Sequence, residues 1–198
     1  MPLLDHFRPP LSVSHPWKGF HSSWANSITN QLNEVLPEGY YAIPEVSRGA
    51  CRQRVEIHIF QDLGGPQLRA AIELVSPANN DRPRSRLTFA AKCVGYLERG
   101  VHVVVIDTVT GGRANLHLAI SEALEAESLH WDSSSHLYAV SYRRTTTRHQ
   151  SGVEAWPRRL NLGGGLPTLP LWIDSDLSLP LHLEASYETA CRSLRVGA

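Results

Sequence analysis

A single carboxylate stands inside the apolar stretch Ala71-Ile72-Glu73-Leu74-Val75, just before the turn residues Ser76-Pro77-Ala78-Asn79-Asn80. Burying an ionised carboxylate costs several kcal/mol unless a cation, a metal or hydrogen bonds compensate. A second acid, Glu56, lies seventeen positions earlier in Val55-Glu56-Ile57-His58-Ile59. Two carboxylates on neighbouring strands bind a hard cation through oxygen. Such a cation polarises a phosphodiester and lowers the pKa of its bound water. Among nineteen Lys and Arg residues only Lys18 and Lys92 are lysines. Lysine is a compact point charge whose pKa shifts readily, which sets Lys92 apart from the arginines. Each of these residues also has a purely structural reading. Glu73 fits an arginine pair or backbone donors. Glu56 alternates with apolar residues, which puts it on a solvated face. Lys92 falls opposite a Leu87-Val94-Leu97 stripe, which turns it to solvent.

The elements that must position these residues follow from periodicity. Trp17, Phe20, Trp24, Ile28, Leu32 and Val35 recur at helical steps, and Pro37 with Gly39 ends that helix. Tyr40 to Val46 reads as a short strand, at an edge or bent, because it carries Pro44. Residues 51–62 and 68–76 read as two strands joined by the turn Asp62-Leu63-Gly64-Gly65-Pro66. Residues 77–86 are a polar loop. Leu87, Ala90, Ala91, Val94 and Leu97 then predict a helix that stops at Gly100. The almost wholly apolar Val101 to Val109 is a strand buried on both faces, as parallel strands are. A strand, a helix and a second buried strand make a right-handed crossover.

Later segments are less regular. Residues 114–127 are ambiguous between strand and short helix. Strands are expected at 136–144 and 153–162, an extended Pro-rich stretch at 166–174, and a terminal helix carrying Leu183, Tyr187, Ala190 and Leu194. The chain is expected to form one domain over 1–198, with a core at 16–108 and a C-terminal extension at 109–198 packed on it.

The order helix, three strands, helix, strand resembles the core of the restriction-endonuclease-like, or PD-(D/E)XK, superfamily. The fold class expected is therefore α/β (α+β) with a mixed sheet. The resemblance implies that acids on the second and third strands hold Mg²⁺ or Mn²⁺, which would be Glu56 and Glu73. It implies a lysine two residues after the second acid that orients or activates water, and Val75 stands there instead. Some members carry that lysine on the following helix, where Lys92 lies. On this basis Glu56, Glu73 and Lys92 are the candidate catalytic residues, and Glu56 and Glu73 the candidate metal ligands.

The stretch AIELVSPANN, the spacing of Lys92, Tyr96 and Gly100-Val101, and VHVVVID together resemble the bacterial domain-of-unknown-function family 4058. The resemblance extends to LPEGYYAIPEV and to the C-terminal LPTLPLWIDSDLSLPLHLEASYETA. Asn80 stands where that family tends to have lysine, and a Pro-Asp strand expected before RVEIHIF is missing. The superfamily resemblance implies a nucleic-acid substrate. The competing implication is a non-catalytic member of the fold that binds or scaffolds.

Composition bounds these readings. The formal net charge is zero, which removes any bulk electrostatic case for nucleic acid or an anionic membrane. Arginines in SYRRTTTRH and WPRRLNL would touch phosphates only if they share a face. Asp107 ends its strand as a supporting partner of the site or as the start of a turn. Cys51, Cys93 and Cys191 form neither a zinc pattern nor a disulfide framework. The ten histidines include no His-Glu-x-x-His, and His58, His130 and His136 are the ones near polar turns or acids. No apolar run approaches the ~20 residues that span a bilayer. No signal-peptide pattern opens the chain, so a cytoplasmic protein is expected, with homo-oligomerisation left open.

Overall fold

Phe20, Trp24, Ile28 and Leu32 lie on one face of the second helix and are all buried. That face requires an apolar sheet beneath it, and the sheet supplies one. In the computed structural model, which describes residues 1–49, 52–111, 115–129, 131, 136–146 and 151–197, the chain runs α1 (Leu11–Ser14), α2 (Trp17–Asn33), β1 (Tyr40–Gly49), β2 (Arg52–Asp62) and β3 (Pro66–Leu74). It continues through α3 (Pro77–Asn80), α4 (Pro83–Glu98), β4 (His102–Asp107) and α5 (Leu116–Ala123). It ends with β5 (Tyr138–Thr146), β6 (Ser151–Arg159), β7 (Thr168–Trp172), β8 (Ser178–His182) and α6 (Leu183–Ser193). Cys51, Gly112, His130 and Arg148 lie outside the described residues.

Strands β1 to β6 form one sheet in sequence order. Every neighbouring pair is antiparallel except β3 and β4, which run parallel around the crossover helix α4. The parallel pairing expected for residues 68–75 and 101–107 is therefore present. All six residues of β4 are buried, as its unbroken apolar run required. The architecture is mixed α and β, with a mostly antiparallel sheet.

Alternation divides the sheet into two buried faces. Ile57, Ile59, Ile72, Leu74, Val104 and Ile106 pack with Trp24 and Ile28 of α2 and with Tyr187 of α6. Ala71, Val75, Val103, Val105 and Val140 pack on the other side with Phe89, Cys93 and Leu97 of α4 and with Leu116 and Ile120 of α5. Residues after 115 thus supply apolar side chains to both clusters. β7 and β8 form a separate hairpin sheet, and Ser141 Oγ of β5 donates to the Pro170 carbonyl of β7 at 2.5 Å.

Edge strand β1 is latched by Asn33, the last residue of α2. Its amide donates to the Ala42 carbonyl at 3.0 Å and accepts from the Ala42 N–H at 2.7 Å. The side chain covers backbone groups that an edge strand otherwise leaves open. Asn33→Ala should lower stability by about 1–2 kcal/mol, since two net hydrogen bonds are lost. A urea midpoint that falls with an unchanged slope is the expected observation, and an unmoved midpoint contradicts it.

Two local expectations need correction, and one segment left open between strand and helix is resolved. Residues 77–86 are not all loop: Pro77–Asn80 form a helical turn, with Ser76 and Asn79 closing a reciprocal cap. Residues 116–123 are helical, with the Asn115 side chain accepting from His117 and Leu118 N–H. On α4 the sheet-facing residues are Phe89, Ala90, Cys93, Tyr96 and Leu97, whereas Leu87 is 67% exposed. The stripe through Leu87 and Val94 was thus drawn too far round the helix. Gly100 ends α4 at φ +79°, a conformation that glycine adopts without a Cβ penalty.

Candidate active site

Glu56 and Glu73 are direct cross-strand partners on β2 and β3. Directly opposed side chains share a face of the sheet, so the hairpin register brings the two acids together. The face is the one covered by α4, where Lys92 shares a side of the helix with Phe89 (three residues before) and Tyr96 (four after). The Lys92 ammonium lies 2.6 Å from Glu56 Oε1 and 2.6 Å from Glu73 Oε1. All three residues singled out in the sequence therefore meet at one point.

Two assignments change with this geometry. Glu56 is buried, not on a solvated face, because α4 overhangs the strand on the polar side of its alternation. Lys92 does not turn to solvent. Its side chain is 21% exposed and runs past the Phe89 ring to the acids. Val75, at the strand position where a lysine was implied, is fully buried among apolar side chains.

The other Glu56 oxygen is also engaged. Tyr96 Oη donates to Oε2 at 3.2 Å, and His58 Nε2 lies 3.3 Å from the same atom. Both were within reach of sequence reasoning: His58 is two residues from Glu56 on the same strand face, and Tyr96 one helical turn from Lys92. Glu45 of β1 is the direct cross-strand partner of Glu56 on its other side, exposed at the sheet edge. Three acids therefore line up across β1, β2 and β3, a row that only the register reveals.

The electrostatics separate the two buried acids. Glu73 is fully enclosed, and burial pushes its pKa up to about 8, with the Glu56 charge adding and Lys92 opposing. Burial also works against ionisation of Glu56, but His58 and Lys92 win and hold it well below the usual carboxylate range. Lys92 is pulled up by Glu73 and Glu56 against its own desolvation. Near neutral pH the cluster is thus an ammonium–carboxylate pair plus a protonated acid. Glu73 Oε1 touches the ammonium but has no aligned hydrogen-bond partner. Two facing carboxylates with one unsatisfied oxygen are the donor chemistry that a hard divalent cation takes. Among the described residues, no group of three or more His, Cys, Asp or Glu is arranged to hold a metal.

Asn80 and Asp107 form a distinct buried pair. The Asn80 amide donates to Asp107 Oδ2 at 2.9 Å, and Val109 N–H donates to Oδ1 at 3.0 Å. Asn80 therefore supports the turn after β3 and does not join the acids. Burial pushes the Asp107 pKa up to about 7, against both hydrogen bonds. The folded chain then keeps a proton that the unfolded chain releases near pH ~3.9. This contribution to stability is complete below that pH and is lost as pH rises through about 7. Asp107→Asn keeps the shape without the titration. The stability advantage of wild type over the variant should shrink between pH 4 and 8, by ~3 kcal/mol. Urea titrations at several pH values check this, and a difference independent of pH contradicts it.

Among the described residues, no helix is long and apolar enough to cross a membrane. Comparison with family models, curated proteins and solved structures returns no match for this chain.

Proposed function

We propose that the chain is a divalent-metal-dependent phosphodiesterase of the restriction-endonuclease-like type, acting on nucleic acid. The observation that carries this reading is the meeting of Glu56, Glu73 and Lys92 at 2.6 Å contacts from two paired strands and the crossover helix. The element order and the parallel β3–β4 pair support it. Bound Mg²⁺ or Mn²⁺ would supply Lewis acidity and an activated water. Glu56 and Glu73 would hold the cation. Lys92 would supply a positive charge beside the position where negative charge develops on phosphate. Tyr96 and His58 hold the Glu56 carboxylate in place through Oε2.

A second reading has an observation of its own. Lys92 already contacts both acids and Glu73 is held neutral, so the cluster also works as a closed charge network pinning α4 to β2 and β3. In that reading the chain is a binding or scaffolding module. Incubation with single- and double-stranded DNA and RNA in Mn²⁺ or Mg²⁺ separates the two. The first reading expects metal-dependent cleavage that chelation stops. No cleavage of any of these substrates with either metal supports the second.

A further inference from the structure

At the other end of β3 the strand register slips. Ile59 pairs with Ala70 and Phe60 with Leu68, which leaves Arg69 as an unpaired extra residue. A bulge of this kind re-aims the side chain it carries. The Arg69 guanidinium donates from Nε and Nη2 to Gln61 Oε1, at 2.9 and 2.6 Å, leaving Nη1 for another acceptor. Beside it, at the start of β4, His102 is 4% exposed. Its Nδ1 accepts the Arg144 backbone N–H at 3.2 Å. An imidazole that accepts at Nδ1 carries its proton on Nε2. Nε2 has no hydrogen-bond partner among the described residues. Burial and the nearby Arg143 and Arg69 keep the ring neutral, against Asp174.

Arg69, His102 and Arg144 line a cavity of about 120 Å³, closed by Gly100 after α4 and by the β7–β8 turn at Asp174 and Ser175. The Arg144 guanidinium has no partner among the described residues. Asp174 is the one acid on the wall. It is exposed, and its Oδ1 is already taken by the Ser175 N–H at 2.7 Å. Arg143 is occupied with Glu154 and the Ser175 carbonyl. The volume is well below the ~300–1,000 Å³ of pockets for larger organic ligands. It suits one compact group that only accepts hydrogen bonds.

We infer that this cavity is a binding site for a phosphate-class oxyanion, held by the Arg69 and Arg144 guanidinium groups and the Nε2–H of His102. Guanidinium forks match tetrahedral oxyanions in geometry and charge. The site is separate from the acid cluster. Arg69 is four residues from Glu73 along β3, about 13 Å at ~3.3 Å per residue.

The test is a titration of the full chain with inorganic phosphate, balanced by chloride at constant ionic strength. It is read by the His102 ring resonances and by the thermal midpoint. Saturable binding that moves the His102 ring signals is expected, weakened at least tenfold in Arg69→Gln and in Arg144→Gln, with Lys18→Gln unchanged. Arg144→Lys keeps the charge without the fork and should bind with intermediate affinity, which separates lost binding from lost folding. A short single-stranded oligonucleotide with blocked ends forms a second arm. Displacement of phosphate by it identifies a phosphodiester as the source, and no displacement identifies the free anion; either result keeps the site. A non-saturating response, or equal binding by wild type and both glutamine variants, removes it.

Discussion

Lys92→Met should destabilise the metal-free protein by about 3–5 kcal/mol at pH 8, the cost of breaking a buried ion pair by removing one partner. The ammonium is the one group that bridges Glu56 and Glu73 among the described residues, 2.6 Å from each. Without it, two acids on directly opposed residues face each other under an apolar helix. The loss should be smaller at acidic pH. Burial already holds the Glu73 pKa up to about 8, and removing Lys92 takes away the attraction that opposed this. The folded variant therefore retains a proton that its unfolded chain gives up near pH ~4.3, so its stability falls as pH rises, more steeply than that of wild type. Chemical denaturation at pH 5 and pH 8 reads the difference. Added Mn²⁺ should restore stability to the variant, by about 2.7 kcal/mol at a hundredfold excess over the dissociation constant. A variant as stable as wild type at both pH values would show that the ammonium contact carries no weight.

Glu73→Gln should behave in the opposite way. The amide resembles the protonated acid in shape and charge, and Lys92 keeps its contact with Glu56. Stability near pH 6 should stay within about 1 kcal/mol of wild type, as for substitutions that open no cavity and strand no charge. Metal-dependent cleavage should nevertheless fall at least about 100-fold, the scale set by removing one electrostatic contributor from a preorganised site. A folded but inactive variant ties the loss to chemistry. A variant that cleaves as wild type does removes Glu73 from the mechanism.

The residue types and their distribution made much of this legible. The apolar run of β4 read as a strand covered on both faces, and Pro44 pointed to an edge or bent strand; β1 lies at the edge. The carboxylate inside β3 was conspicuous because ionised groups are rarely buried alone. The meeting of Glu56 with Glu73 needed the hairpin register, where a slip of one residue would have put them on opposite faces. The side of α4 that meets the sheet was harder to read. Leu87 and Val94 compete with Phe89 and Cys93 in any helical projection, and the sheet buries the latter pair almost fully while leaving Leu87 exposed. That rotation of the helix carries Lys92 from solvent to the acids. Glu45, the Arg69 bulge and the His102 cavity depend on pairings between strands and carry no local signal.

The most direct measurement of the central claim is calorimetric titration of Mn²⁺ into wild type, Glu56→Gln and Glu73→Gln at pH 8. If Glu56 and Glu73 form a cation site, wild type binds one ion and each variant loses that binding while remaining folded. Absence of binding by wild type, or binding by Glu73→Gln equal to wild type, contradicts the account and leaves the three residues as a closed charge network.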